Sequence, residues 1–228
     1  MPKQRIADDL DRIEAAVAAA EQSTAGEIVV VVTDSSEVYG EVRAAAAGLL
    51  TAGGVGLWQI VAGPFAASLW WDPGVLGRLE GPLAVAALAG WMLWTWTLSG
   101  RPWLLRRLIG ADRAAAAVER AAQAAFIARG LTETRDRSGV LLYVSWLEHR
   151  VHLLADRGIH ERVGVAGWQR HVDELIEAIR SGRPGDGLVA AIEAIGQELA
   201  VHFPPRTDDR DELPNEIAVG LVPDTNDR

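Results

Sequence analysis

Residues 44–71 and 81–100 contain no charged side chain. The first stretch reads AAAAGLLTAGGVGLWQIVAGPFAASLWW and the second GPLAVAALAGWMLWTWTLSG. A bilayer core needs about 20 mostly apolar residues per helical span. Both stretches reach that length, and a helix buried in a water-exposed domain rarely stays uncharged for so long. With only Asp72 to Glu80 between them, they predict a two-helix transmembrane hairpin in the middle of the chain.

Basic residues set the expected orientation. Arg43 precedes the first span, and Arg101, Arg106 and Arg107 follow the second. The connecting loop carries Asp72, Arg78 and Glu80, with no basic excess. Both termini are therefore expected in the cytoplasm of a bacterial-type plasma (inner) membrane, with the loop outside. Tryptophans agree: Trp70 and Trp71 close the first span, and Trp94, Trp96 and Trp103 cluster where the second returns. An indole suits the headgroup level because it is apolar yet can donate a hydrogen bond. Gly48, Ala52 and Gly56 form a small-residue row on the first span. Such rows let helix backbones approach, within the chain or between two copies in a homodimer. The polar N-terminus MPKQRIADDLDRIEAA lacks an apolar signal core, so no cleaved signal is expected.

The flanks read as two halves of one α/β domain. Ile6, Leu10, Ile13 and Val17 recur at helical spacing and predict a helix over 3–23. Glu27 to Thr33 is a β-branched apolar run suited to a strand buried on both faces. It has no partner before the membrane. Beyond the hairpin, a helix is expected over 103–129 with Gly130 as its stop. Val140 to Trp146 and Val151 to Ala155 make a hairpin of strands around the turn Glu148-His149-Arg150. Two further helices follow, Val165 to Ser181 and one ending at Phe203-Pro204-Pro205, with Asp186 as its expected N-cap. The first strand must pair with strands beyond residue 139, so the membrane hairpin interrupts the crossover of a βαβ unit.

Several local strings, in this order, resemble the TPM domain family. Thr24-Ala25-Gly26-Glu27-Ile28-Val29-Val30 is similar to its entry into the first strand, with one inserted alanine. Ser138-Gly139-Val140-Leu141-Leu142 is similar to the start of its second strand, with serine for the frequent asparagine. Ala155-Asp156-Arg157-Gly158-Ile159 and Gly185-Asp186-Gly187-Leu188 match its later turns. The resemblance covers most of 5–43 and 104–204. It implies a three-layer α/β/α sandwich, here with a two-helix transmembrane hairpin inserted in the first βα crossover. It also implies either an acid phosphatase with a divalent-metal site or an auxiliary subunit of a membrane complex. The commoner family layout has a signal peptide, an exported domain and a C-terminal anchor; this chain has an internal anchor and a domain expected in the cytoplasm. The expected divisions are 1–43 and 101–204 for the TPM-like domain, 44–100 for the hairpin, and 205–228 for an acidic disordered tail.

Acidic groups at strand ends are the candidate ligands. Asp34 follows the first strand, Asp156 the third, Asp136 precedes the second, and Asp186 opens a helix. Such oxygen clusters can hold Ca²⁺ or Mg²⁺, and ligands of open α/β sheets bind near strand carboxyl ends. Asp34, Asp156 and Asp186 are the metal candidates. Each also has a plain structural use, as a turn cap, a partner of Arg157 or Arg135, or a helix cap. Parallel pairing of the first two strands would put Asp34 near Glu148-His149 and Asp156 at the opposite edge. His160-Glu161 begins like a zinc-protease motif, but Gly164 stands where the second histidine is needed. Ser35, Ser36 and Ser138 would be nucleophiles only beside a base.

Composition narrows the partners. The net charge of −9 disfavours nucleic acid, since phosphate binding wants a basic face. From Thr207 to Arg228, seven acids stand against two arginines, so the tail carries −5 of that charge. The absence of cysteine excludes disulfides and thiol catalysis. With no ionisable group inside either span, a transport pathway is disfavoured. The expected function is a membrane-anchored interaction or accessory module at the cytoplasmic face, with the bilayer and a membrane protein as partners. The alternative is a divalent-metal-dependent acid phosphatase-like hydrolase.

Overall fold

The computed structural model describes residues 6–61, 75–135, 137–205 and 217–219. After a single 3-10 turn at Ala7–Asp9 the elements are α1 (Leu10–Glu21), β1 (Glu27–Thr33), α2 (Gly40–Val61), α3 (Val75–Ser99), α4 (Pro102–Ile109) and α5 (Ala111–Ala128). Then follow β2 (Gly139–Ser145), β3 (Arg150–Ala155), α6 (Arg157–Arg180), α7 (Pro184–His202) and β4 (Ala218–Val219). The chain divides into two compact units: Met1–Glu37 with Ala111–Arg228, and Val38–Gly110. The inserted unit thus begins and ends outside the expected 44–100.

In the first unit the sheet order is β3-β2-β1-β4. β1 runs parallel to β2 in the register Glu27↔Gly139 to Thr33↔Ser145, and β3 returns antiparallel, Val140↔Ala155 to Ser145↔Arg150. Every residue of β1 and β2 is buried. Period-2 alternation explains why β1 shows no polar face. Ile28, Val30 and Val32 enter one core with α1, α6 and α7. Val29 and Val31 enter the other with Val118, Ala122 and Ala125 of α5. Helices therefore cover both faces, as a mixed α/β fold requires. The close approach of α7 to α1 needs Gly196, where a Cβ would sit 2.6 Å from that of Ala20.

Several local readings need correction. The expected helix over 103–129 is two helices, because Gly110 takes φ +78° and breaks the ladder. The helix expected from Val165 starts at Arg157, directly after β3, because Asp156 caps it: its carboxylate accepts from the Arg157 N–H. Asp186 is not the N-cap of α7. Arg183 holds that position, Pro184 opens the first turn and Asp186 lies within it. The tail expected as disordered returns a strand, for Ala218–Val219 pairs parallel with Val31 and Val32.

The second unit holds α2, α3 and α4. The stretch of sequence expected to span the bilayer first ends its described helix at Val61; residues 62–74, with Trp70, Trp71 and the first three residues of the expected loop, lie outside the described residues, and the rest of that loop, from Val75, is helical. Among the described residues no helix is long and apolar enough to cross a membrane. α2 and α3 pack through Thr51 and Thr95, whose hydroxyls lie 2.8 Å apart, and through Gly54, whose bare Cα accepts the Trp91 ring. The Gly48, Ala52, Gly56 row does not make this contact. All three are exposed, and a Cβ on Gly48 or Gly56 would meet nothing within 4 Å.

Candidate functional site

The carboxyl edge of the parallel pair is built by the loop after β1 and the turn after β2. Main-chain bonds join them: Trp146 N–H donates to the Thr33 carbonyl and Leu147 N–H to that of Asp34. The turn needs His149 in the left-handed region, at φ 51°. Glu148, 8% exposed, locks the two together. One of its oxygens accepts from the Ser36 N–H at 2.9 Å, and the other accepts a short hydrogen bond from the Ser145 hydroxyl. Tyr143, on the α5 side of β2, donates from its hydroxyl to Ser36 Oγ.

Glu37 closes the loop from the other side. Its carboxylate takes Arg113 at 3.0 Å and Arg120 at 3.1 Å, both on α5. Burial pushes the Tyr143 phenol above its ordinary value; the bond to Ser36 opposes this and the Glu148 charge adds to it. His152, opposite Tyr143 in the register, is pushed below its ordinary value by burial, with the Glu119 charge opposing. Its imidazole is thus held neutral.

The expected metal candidates are not brought together. Asp34 is exposed at this carboxyl edge. Asp156 follows β3, whose antiparallel course ends at the opposite edge, where the Asp156 N–H donates to the Gly139 carbonyl. Counting rise along the strand separates the two by roughly 20 Å. Asp156 is 9% exposed; one oxygen caps α6 and the other lies 3.9 Å from Arg137. Asp186 is elsewhere again, on α7, where it accepts from Arg12 at 3.0 Å. Asp136 lies outside the described residues. Among the described residues no three acidic or histidine side chains converge to hold a metal ion.

The serine candidates find no base. Ser35 donates its hydroxyl to the Glu37 carbonyl and Ser138 to the Ala25 carbonyl. Ser36 receives the hydroxyl of Tyr143, whose raised pKa keeps the phenol protonated and so unable to take a proton. Ser145 does meet a carboxylate, but it is 1% exposed, out of a substrate's reach. Glu161 is spent on Arg157. Sequence reasoning missed the Glu148–Ser145–Ser36–Tyr143 network. The available signal was the lone tyrosine in an otherwise apolar strand, three residues before which and five after which nothing else carries an acid except Glu148.

A second concave feature lies between α6 and α7, a groove of about 230 Å³ lined by His171, Glu174, Leu175, Arg183 and Asp186 among others. His171 is 8% exposed and its Nδ1 has no hydrogen-bond partner among the described residues.

Comparison with known proteins bears on the fold. Residues 106–198 match the sequence profile of the TPM domain. The NMR structure of the BA42 protein from the psychrophilic bacterium Bizionia argentinensis is similar to this chain at a TM-score of 0.56, over 94% of each chain with 22% identity. Identity that low speaks for a shared fold alone. No curated protein sequence matches the chain.

Proposed function

We propose that the chain is a membrane-anchored TPM-like domain, working as an interaction or accessory module at the cytoplasmic face of a bacterial-type plasma membrane. The observation that carries the anchor is an outward apolar surface on the inserted unit. Leu49, Leu57, Trp58, Ile60, Leu93 and Trp94 are each more than half exposed. A contiguous apolar surface of this kind is unfavourable in water and favourable in hydrocarbon. The uncharged stretches 44–71 and 81–100 supply the length for two spans.

Alkaline carbonate extraction of membranes from expressing cells tests the anchor. The full chain should stay in the pellet, and release into the supernatant would defeat the reading. For the interaction role, the tied polar groups at the carboxyl edge support recognition rather than turnover. Crosslinking in membranes followed by affinity purification should recover a stoichiometric membrane-protein partner; a lone species would defeat that part. The exposed Gly48, Ala52, Gly56 row is the surface on which a homodimer would form.

The rival, a divalent-metal-dependent acid phosphatase-like hydrolase, needs carboxylates that converge on Ca²⁺ or Mg²⁺. Asp34, Asp156 and Asp186 stand on three separate parts of the first unit, so this reading is the weaker. It predicts phosphomonoester hydrolysis by the purified chain that Asp34→Ala abolishes.

A further inference from the structure

The end of the inserted unit where α2 begins and α3 finishes carries a feature that the anchor alone does not require. Arg43, in the first turns of α2, lays its guanidinium over the Trp96 ring of α3, 4.5 Å from the centroid. It fits there because residue 100 is glycine. A Cβ on Gly100 would lie 3.1 Å from the guanidinium carbon. Stacking holds the plane of the group but uses none of its donors. The Arg43 Nε is out of contact with solvent and has no hydrogen-bond partner among the described residues. The stack seals that atom, so the terminal nitrogens of the fork are the ones that can meet an acceptor from outside the chain.

The neighbouring residues supply the rest of a cationic seat. Arg101 follows Gly100 and caps α4. α4 has the composition of a helix lying at an interface: Leu105 and Ile109 are buried, while Trp103 and Leu108 are about half exposed. Trp103 and Arg107 are four residues apart and share its exposed face. Four arginines, Arg43, Arg101, Arg106 and Arg107, thus stand against one acid in this end of the unit, Glu41. Indoles flank them on both sides, and the apolar surface of α3 continues directly from Trp96 through Met92 and Leu93.

We infer that this end of the hairpin is a headgroup site for an anionic phospholipid, with the lipid phosphate held by Arg43, Arg101 and Arg107 between Trp96 and Trp103. Guanidinium forks match phosphate oxygens in geometry as well as charge. The acyl chains would run along the apolar face of α3. An acidic protein would meet the same charges but not the apolar surface beside them, which is why the lipid is the occupant chosen. The inference rests on the membrane reading above.

The test uses the full chain in detergent micelles, analysed by native mass spectrometry with phosphatidylglycerol or phosphatidylcholine added at equal concentration. Phosphatidylglycerol should be retained and phosphatidylcholine not. Each basic residue near the surface contributes about fivefold to such binding, so Arg101→Gln with Arg107→Gln should lower retention about 25-fold. Arg101→Lys with Arg107→Lys should keep most of it. Excess inorganic phosphate should fail to displace the lipid. Equal retention of the two lipids, retention unchanged by the glutamine pair, or displacement by phosphate would each overturn the site. Carbonate extraction of the same variants separates the two ideas. A chain that stays in the pellet without lipid preference defeats this inference alone, and a chain released from the membrane defeats the anchor beneath it.

Discussion

The two units of this chain bury opposite kinds of side chain. In the α/β unit, Ile28, Val32, Leu142 and Ile195 are within 1% of full burial, and the carboxylates buried with them, Glu148 and Asp156, are held by hydrogen bonds. In the inserted unit, Thr95 and Ser99 are fully buried while leucines, isoleucine and tryptophans are exposed. The buried hydroxyls are satisfied within their own helix, Thr95 donating to the Met92 carbonyl and Ser99 to that of Trp96. One unit is thus ordered by expulsion of apolar surface from water. The other leaves that surface outside, and its helices meet through Gly54 against the Trp91 ring and through the Thr51–Thr95 contact. A single polypeptide thus holds two differently ordered units, and the breaks between them fall at Glu37/Val38 and Gly110/Ala111.

The largest effect should come from making the inserted unit obey the rule of the other. Leu57→Arg with Leu93→Arg places charge on the exposed apolar face, at about 2.5–3.5 kcal/mol per site for a central position in a bilayer. The double variant should leave the carbonate pellet or be degraded. Unchanged partitioning would erase the contrast between units. Next, Leu142→Ala opens a cavity where β2 meets α1 and α7 and should cost about 2–5 kcal/mol by chemical denaturation in detergent. Gly196→Val forces α7 off Ala20 and should cost about 1–3 kcal/mol in the same assay.

A smaller effect should follow pH. Burial lowers the folded pKa of His152 below its ordinary 6.5. The unfolded chain then takes up the proton first, so stability holds above pH 6.5 and falls as pH drops through that value toward the folded pKa. His152→Gln should flatten this acid limb in melts between pH 7 and pH 5, and an unaltered limb would assign it to other groups. The smallest change should come from Arg120→Gln, which removes an exposed partner of Glu37 and should cost less than about 1 kcal/mol. A larger loss would mean that the β1 loop depends on that pair more than its exposure suggests.

Long-range pattern was legible in the sequence; side-chain geometry was not. The apolar run Glu27 to Thr33 announced a central strand, and its lack of an upstream partner announced pairing beyond residue 139, which the parallel β1–β2 register supplies. The interruption of that crossover by an apolar pair of helices was readable for the same reason. Helix ends were less readable because capping is decided by local backbone. Asp186 is the residue the sequence offers as a helix cap and Asp156 is read as an ion-pair partner, yet only Asp156 precedes its helix and caps it. The separation of Asp34 from Asp156 was legible, because parallel pairing of β1 with β2 puts them at opposite sheet edges; the pairing of Asp186 with Arg12 was not. Glu148 was also hidden, since its turn reads as polar and exposed while the fold buries it against Ser36 and Ser145. The small-residue row on α2 was assigned the right character, but the contact with α3 falls instead on Gly54, one helical face away.

The place of β1 in the chain also governs the order of biosynthesis. β1 is complete at Thr33, and its first neighbour begins at Gly139. At ribosomal speeds of about 5–20 residues per second, that gap lasts roughly 5 to 20 seconds. During the gap a short strand whose only charge is Glu27 at its start has finished and its partners do not yet exist, which is the profile of a segment prone to wrong pairing. The hairpin is translated within that interval. β1 must therefore stay out of wrong pairings until β2, β3 and finally β4 emerge, and the inserted unit sets the length of that wait.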